Sequence, residues 1–284
     1  MNAACGASRV AELVCSIRSP WKRKAALFFM PSLRMDDSGH ESSTKVFVAA
    51  GYIAPVEGWD AFETEWQDVG GGKVLHMADL CGAVGHGEFE TWNTPDRTAF
   101  VNDMGRTIGK HLKVGIARAI FVDDYKDLLK PASELFLKGT DVQQLAAVAW
   151  TLRMSMEWVA LAWRELPKDQ KVDLIFEEGT KGLAPAITYC RNLKRTKEWA
   201  SVFGHIGTDS KENLPSLQTG DFLAYHVLQF YKARWCNVPY EPPESYRLST
   251  QQGIVDCAHL PRERIPDMLA NFSARELLLD PFPL

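Results

Sequence analysis

No Cys-x-x-Cys pair occurs here: the six cysteines, Cys5, Cys15, Cys81, Cys190, Cys236 and Cys257, are scattered along 284 residues. That scatter excludes a zinc knuckle, a dithiol redox motif and a small disulfide scaffold, and it fits reduced thiols in a cytoplasmic setting. The sequence also lacks any run of eighteen apolar residues, so neither a spanning helix nor a membrane partner is expected. A basic stretch from Trp21 to Lys24 precedes Ala25 to Met30, but that apolar run is too short for a signal peptide. A basic surplus is missing as well. Lys plus Arg number 32 against 36 for Asp plus Glu, a net charge of −4, so a polyanion would have to be met by a local patch or by metal ions. There is no internal repeat and no low-complexity tract.

What is present is enough apolar residue, 46%, for a substantial core. Residues 1–30 differ in composition from the rest and read as an extension of unassigned role. A short strand from Leu33 runs into Asp36-Asp37-Ser38-Gly39, where acids, Ser and Gly mark the chain leaving a sheet. Lys45 to Ala54 is a second strand, rich in β-branched and aromatic residues and closed by Pro55. Trp59, Phe62, Trp66 and Val69 form the stripe of a helix that Gly70-Gly71-Gly72 stops. A helix from Pro95 to about His111, a strand from Val114 to Val122 and a long helix from Asp141 to Leu166 follow. Lys171 to Phe176 is a fourth strand that ends on Glu177-Glu178-Gly179; a helix from Leu183 to Lys194, a weak strand near Ala200 to Ile206 and a helix from Ser216 to Trp235 complete the body.

This order predicts an α/β fold: one domain over 31–235, a mixed sheet with helices on both faces and a helical insertion between strands two and three. Residues 236–284 carry Pro239, Pro242, Pro243, Pro261, Pro266, Pro281 and Pro283, so a C-terminal segment packing on the domain is expected rather than a second core.

Several acids fall at element ends: Asp36 after strand one, Asp79 three residues beyond His76, Glu177 with Glu178 after strand four, and Asp221 early in the last helix. Carboxylates at the same end of neighbouring strands can converge, because strands lie only ~5 Å apart. Hard oxygen donors of this kind suit Mg²⁺ or Mn²⁺. Each position also has a plain reading. Asp36 and Asp37 are ordinary turn residues, the Glu177-Glu178-Gly179 run is an ordinary strand end, Asp221 suits the positive end of a helix dipole, and a lone His76 is commonly a hydrogen-bonded structural residue. Lys181, the cluster Arg191, Lys194 and Arg195, and Lys211 are the candidate cations for a phosphate backbone, with Gln218 a further candidate contact; on an amphipathic helix such basic residues are equally a solvated face.

Taken together, Asp36-Asp37-Ser38-Gly39, Leu75-His76-x-x-Asp79, Phe176-Glu177-Glu178-Gly179, Asp209-Ser210 and Leu217-Gln218-x-x-Asp221 resemble, in this order, the family catalogued as domain of unknown function 3800. Its members show Asp-Glu-Ser-Gly, His-x-x-Glu or His-x-x-Asp, Phe-Asp-Glu and Leu-Gln-x-Ala-Asp. The likeness covers about residues 33–235. It implies a ribonuclease H-like fold and a metal-dependent nuclease or related phosphoryl-transfer activity on DNA or RNA. Asp36, Asp79, Glu177 or Glu178, and Asp221 would hold Mg²⁺ or Mn²⁺, with His76 orienting Asp79 or moving a proton. The chain departs from the pattern at Asp37, at Glu177 and at Gly220, which stands where Ala is usual. Two other readings stay open: a non-catalytic module binding nucleic acid or protein, suggested by Glu177 and the acidic balance, and a metal-dependent hydrolase of a small phosphorylated molecule.

Overall fold

A computed structural model describes residues 31–39, 45–82, 85–125, 142–162, 171–180, 182–196 and 199–260. Strand β1 (Ser32–Ser38) pairs antiparallel with β2 (Val46–Ala54), which pairs antiparallel with β3 (Val114–Phe121). On the other side of β1, β4 (Val172–Glu177) and β5 (Phe203–Asp209) run parallel to it, and β6 (Ile254–His259) runs parallel to β3. The six strands form one mixed sheet in the order β5-β4-β1-β2-β3-β6.

Helices cover both faces, as the alternation of strand and helix signals requires. Between β2 and β3 stand α1 (Val56–Gly70), the single short turn α2 (Met77–Cys81) and α3 (Thr94–His111). Then come α4 (Val142–Ala162), α5 (Leu183–Lys194), α6 (Gln218–Trp235) and α7 (Glu244–Thr250). Trp59, Phe62 and Trp66 of α1 are fully buried, and withdrawing each from water contributes about 2 kcal/mol. Gly71, at φ 59°, ends α1 in the left-handed conformation that glycine adopts without strain. Asn93 caps α3 by accepting a hydrogen bond from the Asp96 amide at 2.9 Å.

Side-chain parity along the strands sorts the core into two layers. Leu33 and Met35 of β1, with Val172, Leu174 and Phe176 of β4, pack beneath α4 and α5. Val48, Ala50 and Tyr52 of β2 face the other way, against α1, α3 and α6. Because successive strand residues point to opposite faces, Arg34, Asp36 and Glu177 stand on the α6 side.

The structure departs from the sequence reading at three places. β1 does not stop before Asp36: its pairing with β2 continues to Ser38 opposite Val48, so backbone pairing overrides the turn propensity of Asp-Asp-Ser and the chain leaves the sheet only at Gly39, φ 102°. The weak strand after α5 lies three residues later, at Phe203–Asp209. The C-terminal segment does more than pack on the domain. Its prolines flank α7, which lies on α3, and the proline-free run Ile254–His259 adds the sixth strand. The expected extension over residues 1–30 and the last residues, 261–284, lie outside the described residues. No described helix is long and apolar enough to cross a membrane.

His226, in the middle of α6, is buried against Phe222, Tyr225 and Tyr246, with Nε2 3.3 Å from Ser245 Oγ. Burial holds its pKa down from 6.5 to about 4, so the folded protein keeps the ring neutral where the unfolded chain takes a proton. Stability conferred by the neutral ring is therefore complete above pH 6.5 and is lost as pH falls from there toward about 4. Denaturant unfolding across that window is expected to show His226→Gln losing roughly 1.4 kcal/mol per pH unit of the parent's acid slope. Equal slopes for parent and variant would show that this histidine does not set it.

Candidate functional site

The site begins with strand register. Met35 lies beside Phe176 in the parallel pairing of β1 with β4, so the next residues, Asp36 and Glu177, turn together to the α6 face. Their partner on the helix is Asp221, and its arrival depends on Gly220. A Cβ placed on Gly220 would stand 2.5 Å from the Asp36 amide nitrogen and 2.9 Å from Asp36 Cβ, closer than any side chain tolerates. The glycine that stands where the resembled motif has Ala thus lets the first turn of α6 press directly on β1.

Into the space among these carboxylates comes Lys211, from the turn that follows β5. Its Nζ lies 2.7 Å from Asp36 Oδ2, 3.2 Å from Asp221 Oδ2 and 4.0 Å from Glu177 Oε1. His76 Nδ1 is 3.4 Å from the same nitrogen and 3.9 Å from Asp221 Oδ2. Asp36 Oδ1 accepts from the Asp37 amide at 2.7 Å, Asp221 Oδ2 accepts from the Met77 amide at 3.1 Å, and Thr180 Oγ1 donates to Asp37 Oδ1. Asp209, beside Glu177 in the β4–β5 pairing, accepts the Ser210 amide at 2.9 Å and so starts the turn that delivers Lys211.

Burial dominates the electrostatics. It disfavours the Lys211 ammonium, but Asp221, Asp36 and Glu177 outweigh it and lift the lysine above its ordinary pKa. Burial pushes the Asp36 carboxyl well up against the pull of Lys211, and it pushes Glu177 up against Lys211 and His76. The shifts on Asp36 and Lys211 point opposite ways for one ion pair, the first favouring a neutral acid and the second a charged amine. The charged pair is favoured, because three carboxylates face one ammonium and the closest contact is a 2.7 Å hydrogen bond.

A cavity of about 450 Å³ opens over this group. One wall is the strand-end loops, including Asp36, Asp37, Glu177, Glu178 and Thr180; the other is one face of α6, with Asp221, Tyr225, Gln229 and Lys232. The sequence left Glu177 and Glu178 undecided. Glu177 is half-buried and faces Lys211, whereas Glu178 is exposed at the turn, its amide bound to Asp209 O at 2.9 Å.

Asp36, Glu177, Glu178, Asp221, His76 and Lys211 are therefore brought together, and several other candidates are not. Asp79 is not in the cavity wall: α2 turns it toward Gly87, whose Cβ position lies 3.6 Å from Asp79 Oδ2. The His76 ring faces Asp221 and Lys211, and its link to Asp79 is the backbone bond from the Asp79 amide to His76 O at 3.1 Å. Gln218 is 2% exposed and wholly engaged in structure. Its Oε1 accepts from Trp66 Nε1 at 3.1 Å and from the Leu75 amide at 2.8 Å, while Nε2 donates to Lys211 O at 3.4 Å. Arg191 donates to Ile206 O at 2.9 Å and Lys194 to Gly204 O, so this part of the basic cluster holds α5 to β5; neither residue, nor the exposed Arg195, lines the cavity. Lys211 is a buried ion-pair partner rather than a solvated side chain. Lys181 lies outside the described residues. Missed from sequence were Asp37, Thr180, Tyr225, Gln229 and Lys232; spacing by three and four from Asp221 along α6 is the signal that could have found the helix residues.

The donor set suits a hard divalent cation, because Asp36 Oδ2 and Asp221 Oδ2 both lie within 3.2 Å of one point. That point is the Lys211 nitrogen. Among the described residues no group of three or more His, Cys, Asp or Glu side chains is arranged to close on a metal ion as it stands. Neither a scan against family models nor a search of curated proteins returns a match.

Gly220→Ala is expected to cost about 1–3 kcal/mol in denaturant unfolding, the scale of overpacking, because helix and strand must part. Gln218→Ala should cost a similar about 1–3 kcal/mol by leaving the buried Trp66 and Leu75 donors unpaired. A variant as stable as the parent at either position would contradict the contact assigned to it.

Proposed function

We propose that this protein is a divalent-metal-dependent phosphodiester hydrolase, a nuclease, with Asp36, Asp221 and Glu177 as the metal-holding carboxylates. The single observation that carries this reading is the convergence of Asp36 and Asp221, residues 185 positions apart in sequence by their numbers, on one point at the floor of a cavity. A ribonuclease H-like fold is part of the same reading. The antiparallel succession β1-β2-β3, extended beside β1 by the parallel strands β4 and β5, supports it.

Asp36, Asp221 and Glu177 would hold Mg²⁺ or Mn²⁺, and the ion would supply Lewis acidity that lowers the pKa of water and steadies a leaving oxygen. The chain's own groups do the rest. Asp221 is kept in position by the Met77 amide and Asp36 by the Asp37 amide, so neither carboxylate has to be ordered when a cation arrives. Lys232, three helical turns beyond Asp221 on the same face of α6, neutralises phosphate oxygens at the far side of the cavity. The His76 ring stands at the rim with Nδ1 toward Lys211 and Asp221; with Nδ1 accepting from the ammonium, Nε2 carries the ring hydrogen and is the atom that delivers a proton.

A small phosphorylated molecule is the second reading, and two observations favour it. The cavity volume falls within the usual range for small-molecule sites, and Arg191 and Lys194, the obvious backbone-binding cations, are spent on β5.

Incubation of the protein with single- and double-stranded oligonucleotides and with phosphomonoesters, in Mn²⁺ or in chelator, decides among these. Expected is Mn²⁺-dependent cleavage of an oligonucleotide that falls by at least about a hundredfold in Asp36→Asn, Asp221→Asn, the scale of removing electrostatic stabilisation at a reacting group. Turnover of phosphomonoesters alone selects the second reading. A double variant as fast as the parent overturns the assignment of the site, and no Mn²⁺-dependent turnover of any substrate leaves a non-catalytic module.

A further inference from the structure

Lys211 is an unusual residue to find at the convergence of two carboxylates that are to share a metal. It is 4% exposed, and a lysine ammonium has three N–H donors. Asp36 Oδ2 at 2.7 Å, Asp221 Oδ2 at 3.2 Å and His76 Nδ1 at 3.4 Å account for three acceptors. The ammonium is thus satisfied where it stands, and its stem fills the approach to the oxygens. A divalent ion bridging Asp36 and Asp221 needs the same volume and the same lone pairs, and at that range a second cation is repelled by the first. One of the two must leave.

We infer that Lys211 is a tethered placeholder cation: it holds the carboxylates together in the metal-free protein, and a divalent ion binds Asp36 and Asp221 only by displacing its ammonium into the cavity. This inference rests on the proposed metal-dependent reading and assigns that site an internal competitor. Three features of the geometry support it. The carboxylate oxygens are already gathered, which without a counter-cation would leave Asp36, Asp221 and Glu177 repelling one another at close range. The lysine comes from a turn between β5 and α6, not from a strand or helix, so the ammonium can swing out without unpairing the sheet. The cavity beside it gives the side chain somewhere to go. Once displaced, the ammonium faces the space that a phosphate would fill, so one positive charge moves from holding the site to meeting its substrate. The competition also sets a threshold, since the apparent metal affinity is the intrinsic affinity reduced by the fraction of molecules in which Lys211 has left.

Calorimetric titration of the parent and of Lys211→Met with Mn²⁺, with no substrate present, tests this. The expected result is weak but measurable Mn²⁺ binding to the parent and affinity at least about tenfold tighter in Lys211→Met, the direction required when a like charge is removed from the site. Thermal unfolding should show the metal-free variant less stable than the parent and Mn²⁺ raising its Tm by more. Lysine-Nζ NMR on the parent gives a reading that does not depend on the variant's folding: the Lys211 ammonium signal, slow to exchange because buried, should be lost as Mg²⁺ saturates the site. Parent binding with no tighter binding in Lys211→Met, or a Lys211 signal unchanged at saturating Mg²⁺, overturns the placeholder role and leaves the metal reading standing. Absence of Mn²⁺ binding in both proteins overturns the two together.

Discussion

Backbone meets backbone where Gly220 lies on Asp36, and most of the arrangement at the cavity follows from that approach. A helix normally stands off a sheet by the depth of two side-chain layers. Here the first turn of α6 has no side chain at the contact, so the following residue, Asp221, reaches the level of the β1 backbone and its carboxylate meets that of Asp36. The same turn fastens the surroundings. Gln218, three residues earlier, ties Trp66 of α1 and the chain at Leu75 to α6, and that tie sets His76 and the Met77 amide against Asp221. One turn of helix thereby positions a strand acid, a helix acid and a histidine contributed by distant parts of the chain.

Two buried ion pairs occupy this face of β1, and the contrast between them is informative. Arg34 pairs with Glu63, shares Ser216 with it and lies 4.3 Å over the Trp59 ring. Arg34 is held between α1 and the turn before α6, Glu63 is partly exposed, and neither lines the cavity. Two residues on, Asp36 and Lys211 are as deeply buried but stand at the floor of the cavity with two further carboxylates beside them. Desolvating two charges commonly costs as much as their attraction returns, so neither pair is explained by stability alone. The closed pair fixes the position of α1 against the sheet. The open one concentrates negative charge at a place that solutes can enter, an expensive arrangement that a purely structural role does not need.

The sheet and its helices were largely legible because their signals are periodic. Alternation in Lys45 to Ala54, the Trp59-Phe62-Trp66 stripe and the apolar run of Lys171 to Phe176 each sample one environment repeatedly. Asp36, Glu177 and Asp221 were legible for a related reason: they lie at or near the ends of such elements, and the parallel pairing of β1 with β4 carries the two strand acids into register. The direction of Asp79 was not legible because it lies on a five-residue helix, too short for any pattern to show which way it faces. Gln218 looked like part of a binding motif, yet a buried amide with two acceptor lone pairs is equally suited to bridging two donors, and only the fold reveals that Trp66 and Leu75 supply them. Lys211 was hidden by its setting: in a polar turn flanked by Ser210, Glu212 and Asn213 a lysine reads as solvated, and burial came from elements that close over it. β6 was hidden by the prolines around it, which stop at its ends.

Charge explains why a cation is central to the proposed reading beyond the chemical step. The chain is net acidic, the loops at the cavity add Asp37 and Glu178 to the buried carboxylates, and the basic side chains of α5 that face β5 are bound to its carbonyls. Among the described residues lining the cavity the cations are Lys232 and Lys211, and Lys211 is committed to Asp36 and Asp221, so a phosphate approaching this mouth would meet a mainly negative surface. On the proposed reading a divalent ion would change both sides of that balance, neutralising the carboxylates and freeing the lysine. Metal and phosphate would then be thermodynamically linked: each would bind more tightly to the form of the site that the other stabilises, and by reciprocity the gain would be the same in either order. In such a site the affinity for substrate is itself a property of the carboxylate cluster, and the surface outside the cavity needs no basic patch to recruit a polyanion.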